Sequence, residues 1–280
     1  MTDRAWVLLK SGQRLDLLNP DPYGWTDDDL ATGLARTYRW GGRSRWDLPL
    51  SVAQHSISVL RIRELLAGRD LTPAEQLREL AHDMDEGLLG FDAITPLKPH
   101  LGDGYHRIVR RLRRAITIRY DLHPWDRQNY AAHKVADRLA AASEARHVVG
   151  WSEEDIRVSL AISMEPLPAD PVTPPAGMRP WEPWPPLLAA RSFLGLLQDL
   201  QRQIVDAAEG SQTGIVAYGE PATLVVVESG DGQQSIEGQI VGGARDEGGD
   251  WDLDGQFTVR TDAGELVRVN GWCCVTEVLP

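Results

Sequence analysis

The sequence predicts a mainly α-helical body followed by a small β barrel or sandwich, and two patterns of apolar residues carry this. Between residues 29 and 208 the apolar positions recur at steps of three and four, the period that turns one face of a helix toward a core. From Thr213 onward the period falls to two, with glycine-rich turns between short β-branched runs. Three segments follow: residues 1–28, a strand and turn segment packing on the body; 29–209, the helical domain; and 210–280, an accessory β domain with its boundary near Gly210.

At 280 residues the chain is long enough for one large core with an appendage, and 42% apolar with 25% charged residues is ordinary globular composition. No apolar run approaches the roughly 18 residues that span a bilayer, and the first residues lack the order of a signal peptide, so a cytoplasmic protein with no membrane partner is expected. Cys273 and Cys274 are neighbours whose mutual disulfide would be strained, which fits reducing surroundings. A formal charge of −12 repels polyanions, which disfavours a nucleic-acid duplex while leaving room for small phosphorylated ligands in a local cationic pocket.

Along the chain, Trp6 to Leu18 alternates weakly and ends in Asn19-Pro20-Asp21-Pro22-Tyr23-Gly24, a short strand or hairpin before the main body. Asp27 to Asp29 place carboxylates at the start of a helix over Leu30 to Tyr38, where the helix dipole favours them. Over Leu50 to Ala67 the stripe Val52, His55, Val59, Ile62 and Leu66 turns His55 inward. Thr72-Pro73-Ala74-Glu75 is a capping box with proline at the first helical position, opening one helix that carries Leu77, Leu80, His82, Asp83, Met84 and Glu86. A loop from Gly90 to His100, a basic helix around Arg107 to Tyr120, an alanine-rich helix around Asn129 to Val148 and a helix over Glu153 to Met164 follow. Residues 165–186 are too rich in proline for helix, and their tryptophans predict a wrap packed on the body. A last helix spans 187–208; beyond it, strands are expected at Leu224 to Val227, Ile236 to Val241, Phe257 to Arg260, Leu266 to Val269 and Trp272 to Val278.

A lone His-Asp dipeptide carries little information, but His82-Asp83 has an inward-facing His55 one helix before it and Asp137 on a later helix. Imidazole nitrogens and carboxylate oxygens on packed helices suit Mn, Fe, Co, Ni, Zn or Mg. Glu86, four residues after His82 and three after Asp83, is expected to project from the same helical face into the same pocket.

The segments Tyr38-Arg39-Trp40-Gly41-Gly42, Ser51-Val52-Ala53-Gln54-His55-Ser56, Ala81-His82-Asp83-Met84-Asp85-Glu86, Thr95-Pro96-Leu97-Lys98 and Lys134-Val135-Ala136-Asp137-Arg138 together resemble the HD-domain phosphohydrolases. Within them the likeness is to the bacterial and phage branch of 5′-deoxynucleotidases and deoxynucleoside triphosphate hydrolases. It runs from about Leu15 to Val149, more faintly through the last helix, and does not reach the β domain. The resemblance implies an HD-type helical bundle with one divalent metal held by His55, His82, Asp83 and Asp137, and Glu86 as general acid or base. It further implies Arg39 on phosphate, Trp40 beside the sugar, Lys98 facing phosphate and Asp92 approaching the sugar. This chain departs in having one extra residue between Glu86 and Asp92, and Arg43 where many relatives carry a histidine, which adds positive charge to the phosphate path.

Bland readings compete for several of these: a core tryptophan for Trp40, a solvated loop lysine for Lys98, a surface carboxylate for Glu86. Arg107, Arg110, Arg111, Arg113 and Arg114 read as a solvated helix face before a grip on a polyphosphate or a nucleic acid. His100, His106, His123, His133 and His147 offer a second metal, but the adjacent histidines of the bimetallic branches are absent, so one metal is expected. The resulting expectation is a homo-oligomeric, metal-dependent hydrolase of small nucleotides. Deoxynucleoside 5′-monophosphates stand first, deoxynucleoside triphosphates are the alternative, and a non-catalytic nucleotide sensor with β-domain output is the reading from another class.

Overall fold

A computed structural model describes residues 5–94 and 97–210 and the strands at 224–228, 235–243, 256–261, 266–270 and 274–279, with side chains through residue 207 except that of Pro99. Thr95 and Pro96, whose motif was read from sequence, lie outside the described residues. The chain divides into two compact units, residues 1–212 and 213–280, and the architecture is mainly α-helical.

In the first unit a hairpin of β1 (Trp6–Leu8) and β2 (Arg14–Asp16) precedes α1 (Asp27–Arg36). Thr26 and Asp29 close a capping box at the start of α1, and three aspartates sit in its first turn, where they meet the positive end of the helix dipole. A 3₁₀ turn at Arg39–Gly42 leads to α2 (Val52–Leu66), capped by Ser51. α3 (Pro73–Leu80) opens on the Thr72–Glu75 capping box, and α4 (Met84–Leu89) follows at once. The series ends with α5 (Gly102–Tyr120), α6 (Arg127–Glu144), α7 (Glu153–Leu160) and α8 (Pro186–Gly210).

Leu30, Leu34, Val52, Leu60, Leu80, Met84, Leu112, Phe193 and Leu197 form the centre of the core, where α8 lies against α1, α2 and α3. α1 and α4 approach closely through Gly33 and Gly87. A methyl group at Gly33 would stand 2.2 Å from the Gly87 carbonyl oxygen, and one at Gly87 would stand 2.5 Å from Leu34 Cγ. The approach places the middle of α4 against the middle of α1, and with it Glu86.

The proline and tryptophan segment at 165–186 holds no helix before Pro186 and packs on the body, with Trp181 and Trp184 buried. Gln54 fastens it: its amide donates to the Glu182 carbonyl at 3.1 Å and its oxygen accepts from the Trp184 N–H at 2.7 Å.

Four expectations need correction. The helix read as continuous from Thr72 through Glu86 breaks at residues 81–83, where bonds from His82 N–H to the Glu79 carbonyl and from Met84 N–H to the Ala81 carbonyl skip only three residues and tighten the turn. Leu66 is 52% exposed, because the inward stripe of α2 ends at Ile62. The last turn of the alanine-rich helix, Ala145–Val149, widens to a π-turn closed by the Gly150 N–H on the Ala145 carbonyl. The helix expected to reach Met164 stops at Leu160, where Ala161 turns left-handed at φ 51°.

In the second unit, β3 (Leu224–Glu228), β4 (Ser235–Gly243), β5 (Gln256–Thr261), β6 (Leu266–Asn270) and β7 (Cys274–Leu279) pair antiparallel in chain order. The register shifts between Ile240 and Gly242 and again between Arg268 and Val269. Trp272 and Cys273 of the last expected strand, and the glycine-rich turns, lie outside the described residues.

Candidate metal centre

His55, on α2, is fully buried, and its Nδ1 lies 2.5 Å from Glu144 Oε1. A carboxylate oxygen only accepts, so Nδ1 carries the hydrogen and Nε2 is turned to the centre of the cluster. His82 is held alike: its Nδ1 donates to the Glu79 carbonyl at 2.8 Å, which presents its Nε2 to His55 Nε2 at 3.2 Å. The break between α3 and α4 makes this possible, because the tight turn lets consecutive residues both reach the cluster.

Asp83 Oδ2 lies 3.4 Å from His55 Nε2 and 3.2 Å from His82 Nε2, and Asp137 Oδ1 lies 3.6 Å from His55 Nε2. One ligand atom each from His55, His82 and Asp137 falls within 4.8 Å of the others, so these three can hold a metal ion. Neighbouring ligands on one cation with bonds of about 2.0–2.2 Å stand roughly 2.8–3.6 Å apart at right or tetrahedral angles, a range that holds the His55–His82, His55–Asp83, His82–Asp83 and His55–Asp137 separations. Two neutral imidazoles with carboxylates are the donor set of a borderline divalent ion.

The electrostatics agree with a site that holds positive charge. Burial and the Arg39 charge push His55 down, but the carboxylates of Glu144 and Asp83 outweigh them and raise it to about 9. Burial raises Asp83, yet the His82 charge and hydrogen bonds from His55 and His82 hold it well below the usual carboxylate range. Asp137 is likewise raised by burial but brought to about 2 by Lys134 and the two histidines. Its other oxygen lies 3.7 Å from Lys134 Nζ.

Glu86 behaves in the opposite way. It is 2% exposed; its Oε1 lies 3.6 Å from Lys98 Nζ, and its Oε2 has no hydrogen-bond partner among the described residues. Burial, then the negative charges of Asp83 and Asp92, raise it well above the ordinary carboxyl range. The helical-face spacing from His82 is not what brings Glu86 here, since the helix is broken; α4 carries it in from the Gly33–Gly87 contact.

Arg39 reaches over the same cluster. Its Nη1 stands 3.8 Å from both Asp83 Oδ2 and Asp92 Oδ2, while its Nε and Nη2 each lie 3.4 Å from Glu144 Oε2. Burial opposes its charge, but Glu144, Asp92, Asp83 and Glu86 raise its pKa. Trp40 has a left-handed backbone at φ 60°; its Nε1 donates to Glu144 Oε2 at 3.1 Å and its ring meets Trp151 edge-on. Lys98 is partly exposed, and Glu86 raises it against the opposing effect of burial. Asp92 is buried and belongs to the network through Arg39.

Arg43 is different: it is exposed past the 3₁₀ turn, and its backbone N–H donates to the Trp40 carbonyl. Among the other basic residues, Arg107, Arg111, Arg113 and Arg114 are exposed, with Arg113 Nε 3.1 Å from the buried Asp85. His133 is used structurally, with Nδ1 2.8 Å from Glu79 Oε2 and its ring stacked on Trp125. His147 is bonded to the Leu167 carbonyl and stacked on Trp181.

Glu144 escaped the sequence reading. The available signal was its place seven residues after Asp137, two turns along the same face of α6.

A mainly helical protein with a buried histidine and carboxylate group able to hold a metal is thus the class that fold and site define. No family model matches the chain. It is 40% identical over 159 residues to an uncharacterized protein of Rhodobacter capsulatus, a stretch that covers 54% of this chain and 77% of that protein, and it belongs to the same family.

Proposed function

We propose that this protein is a metal-dependent phosphohydrolase of the HD type acting on small nucleotides, in first place deoxynucleoside 5′-monophosphates. The observation that carries the reading is Glu86: a buried carboxyl with raised proton affinity and one oxygen that has no partner among the described residues, beside Asp83 and Asp137, whose carboxyls are held low. Carboxyl groups pushed apart in this way support an assignment of acid and base roles.

In this reading His55, His82, Asp83 and Asp137 hold one divalent cation of the transition series or Mg, whose Lewis acidity polarises water and phosphoryl oxygen when bound. Glu86 orients the attacking water and moves its proton, with Oε2 as the accepting atom. The Arg39 guanidinium and the Lys98 ammonium offset the charge spread over the phosphoryl oxygens as the bond to the leaving oxygen breaks. Trp40 offers a flat apolar face beside Arg39 for the sugar. The five antiparallel strands support an accessory β barrel or sandwich in residues 210–280, with oligomer contacts or partner binding as its role. No helix among the described residues is long and apolar enough to cross a membrane.

The test is a panel of nucleotides offered to the purified protein with Mn or Co, following phosphate, pyrophosphate and triphosphate release. Phosphate and nucleoside from monophosphates is the expected result. Triphosphate release from deoxynucleoside triphosphates would move the substrate while keeping the chemistry, and sustained binding with no product under any metal would refute the enzyme.

A further inference from the structure

Glu144 is a fully enclosed carboxylate at the end of α6 that faces three groups of different duty. Its Oε1 takes the His55 Nδ1 hydrogen at 2.5 Å, while Oε2 takes the Trp40 Nε1 hydrogen at 3.1 Å and faces Arg39 Nε and Nη2 at 3.4 Å. One side chain therefore bonds a metal-ligand candidate with one oxygen and two of the nucleotide-binding candidates, Arg39 and Trp40, with the other.

The backbone around Arg39 and Trp40 needs such an anchor. Trp40, Gly41 and Gly42 are consecutive left-handed residues at φ 60°, 59° and 74°, and a tryptophan there is strained unless its surroundings fix it. A widened π-turn begins immediately after Glu144.

We propose that Glu144 is a positioning residue that orients His55 toward the cation and Arg39 with Trp40 toward the nucleotide, coupling metal binding and nucleotide binding through one side chain. The inference rests on the nucleotide phosphohydrolase reading above. A carboxylate on the far nitrogen of a ligating histidine fixes the ring and strengthens the near nitrogen as a ligand. Because the same carboxylate holds Arg39, the binding of either ligand to the ordered arrangement favours the other.

The experiment compares the full-length wild type with Glu144→Gln, which keeps the shape and removes the charge. Three quantities are measured: Mn affinity of the nucleotide-free protein, affinity of the metal-free protein for thymidine 5′-monophosphate, and the visible absorption of the Co-loaded protein. A circular dichroism melt establishes that the variant is folded. Both affinities are expected to fall about ten- to hundredfold together, and the Co absorption is expected to change in position or intensity as the His55 ring is released, which loss of stability alone would not produce. A folded Glu144→Gln protein with wild-type Mn affinity and Co absorption, or one that loses nucleotide binding alone, overturns the proposal.

Should Glu144→Gln not fold, Glu144→Asp replaces it, keeping the charge but falling one methylene short of its three partners. It is expected to weaken both ligands by at least about threefold, and unchanged affinities for both would overturn the coupling. The wild-type measurements read the underlying function separately: a wild type that takes up no divalent cation refutes the metal centre and the coupling with it. A wild type that binds both ligands, with variants insensitive at Glu144, refutes the coupling alone.

Discussion

The Nε2 atoms of His55 and His82 face one another at 3.2 Å, each ring with its Nδ1 committed elsewhere, to the Glu144 carboxylate and to the Glu79 carbonyl. Two imidazole lone pairs turned on one point repel unless a proton or a cation lies between them. In the metal-free protein the raised His55 supplies the proton, since its neighbours hold it to about 9.

A metal taken up at this site would therefore displace that proton. The folded-state value lies above the ordinary 6.5, so the proton is bound below pH 9 and is lost as pH rises through it. Mn affinity is expected to climb by up to about tenfold per pH unit between pH 6 and 9, then level off. Titration of the protein with Mn at several pH values checks this. A flat profile would show that His55 is not the proton that the metal replaces.

Gly33→Ala and Gly87→Ala should each destabilise the first unit by about 1–3 kcal/mol or more, because the added methyl meets the Gly87 carbonyl in one case and Leu34 in the other. Denaturant melts measure it. The same shift of α4 should displace Glu86, so a stable but slower protein is the expected behaviour of any survivor.

Gln54→Leu removes both bonds that fasten the tryptophan segment, leaving the Glu182 carbonyl and the buried Trp184 N–H without this partner. At about 1–3 kcal/mol per unsatisfied group, the loss should be at least about 2 kcal/mol. Faster proteolysis within residues 165–186 would accompany it. An unchanged melt would mean the segment is held by its tryptophans alone.

Glu75 closes the capping box of α3 and also meets Arg69 at 2.6 Å, and that hydrogen bond outweighs partial burial to bring its carboxyl to about 2. The folded value is depressed below the ordinary 4.5, so its contribution is present above pH 4.5 and fades as pH falls toward 2. Glu75→Gln should cost roughly 0.5–1 kcal/mol at pH 7, a screened surface value, with the gap narrowing at pH 3. Urea melts at the two pH values give the comparison.

Much of the framework was legible because it is encoded locally. The capping boxes at Thr26 and Thr72 are short-range chemistry, and the inward turn of His55 follows from the period of Val52, Val59 and Ile62. What escaped depended on contacts between elements. Continuous periodicity through Leu77, Leu80 and Met84 hid the break at residues 81–83, because all three are buried on either side of it. Gly33 and Gly87 are unremarkable alone and matter only because they meet. Glu144, in an alanine-rich helix, has the composition of a surface residue, and its burial is explained only by the three donors that converge on it.

The most direct test of the account is phosphate release by Glu86→Gln, measured with its metal content beside the wild type and Asp83→Ala. Glu86→Gln is expected to keep its Mn and lose at least about a hundredfold in turnover, whereas Asp83→Ala loses metal and activity together. A metal-loaded Glu86→Gln protein that hydrolyses nucleotides at the wild-type rate would contradict the central claim.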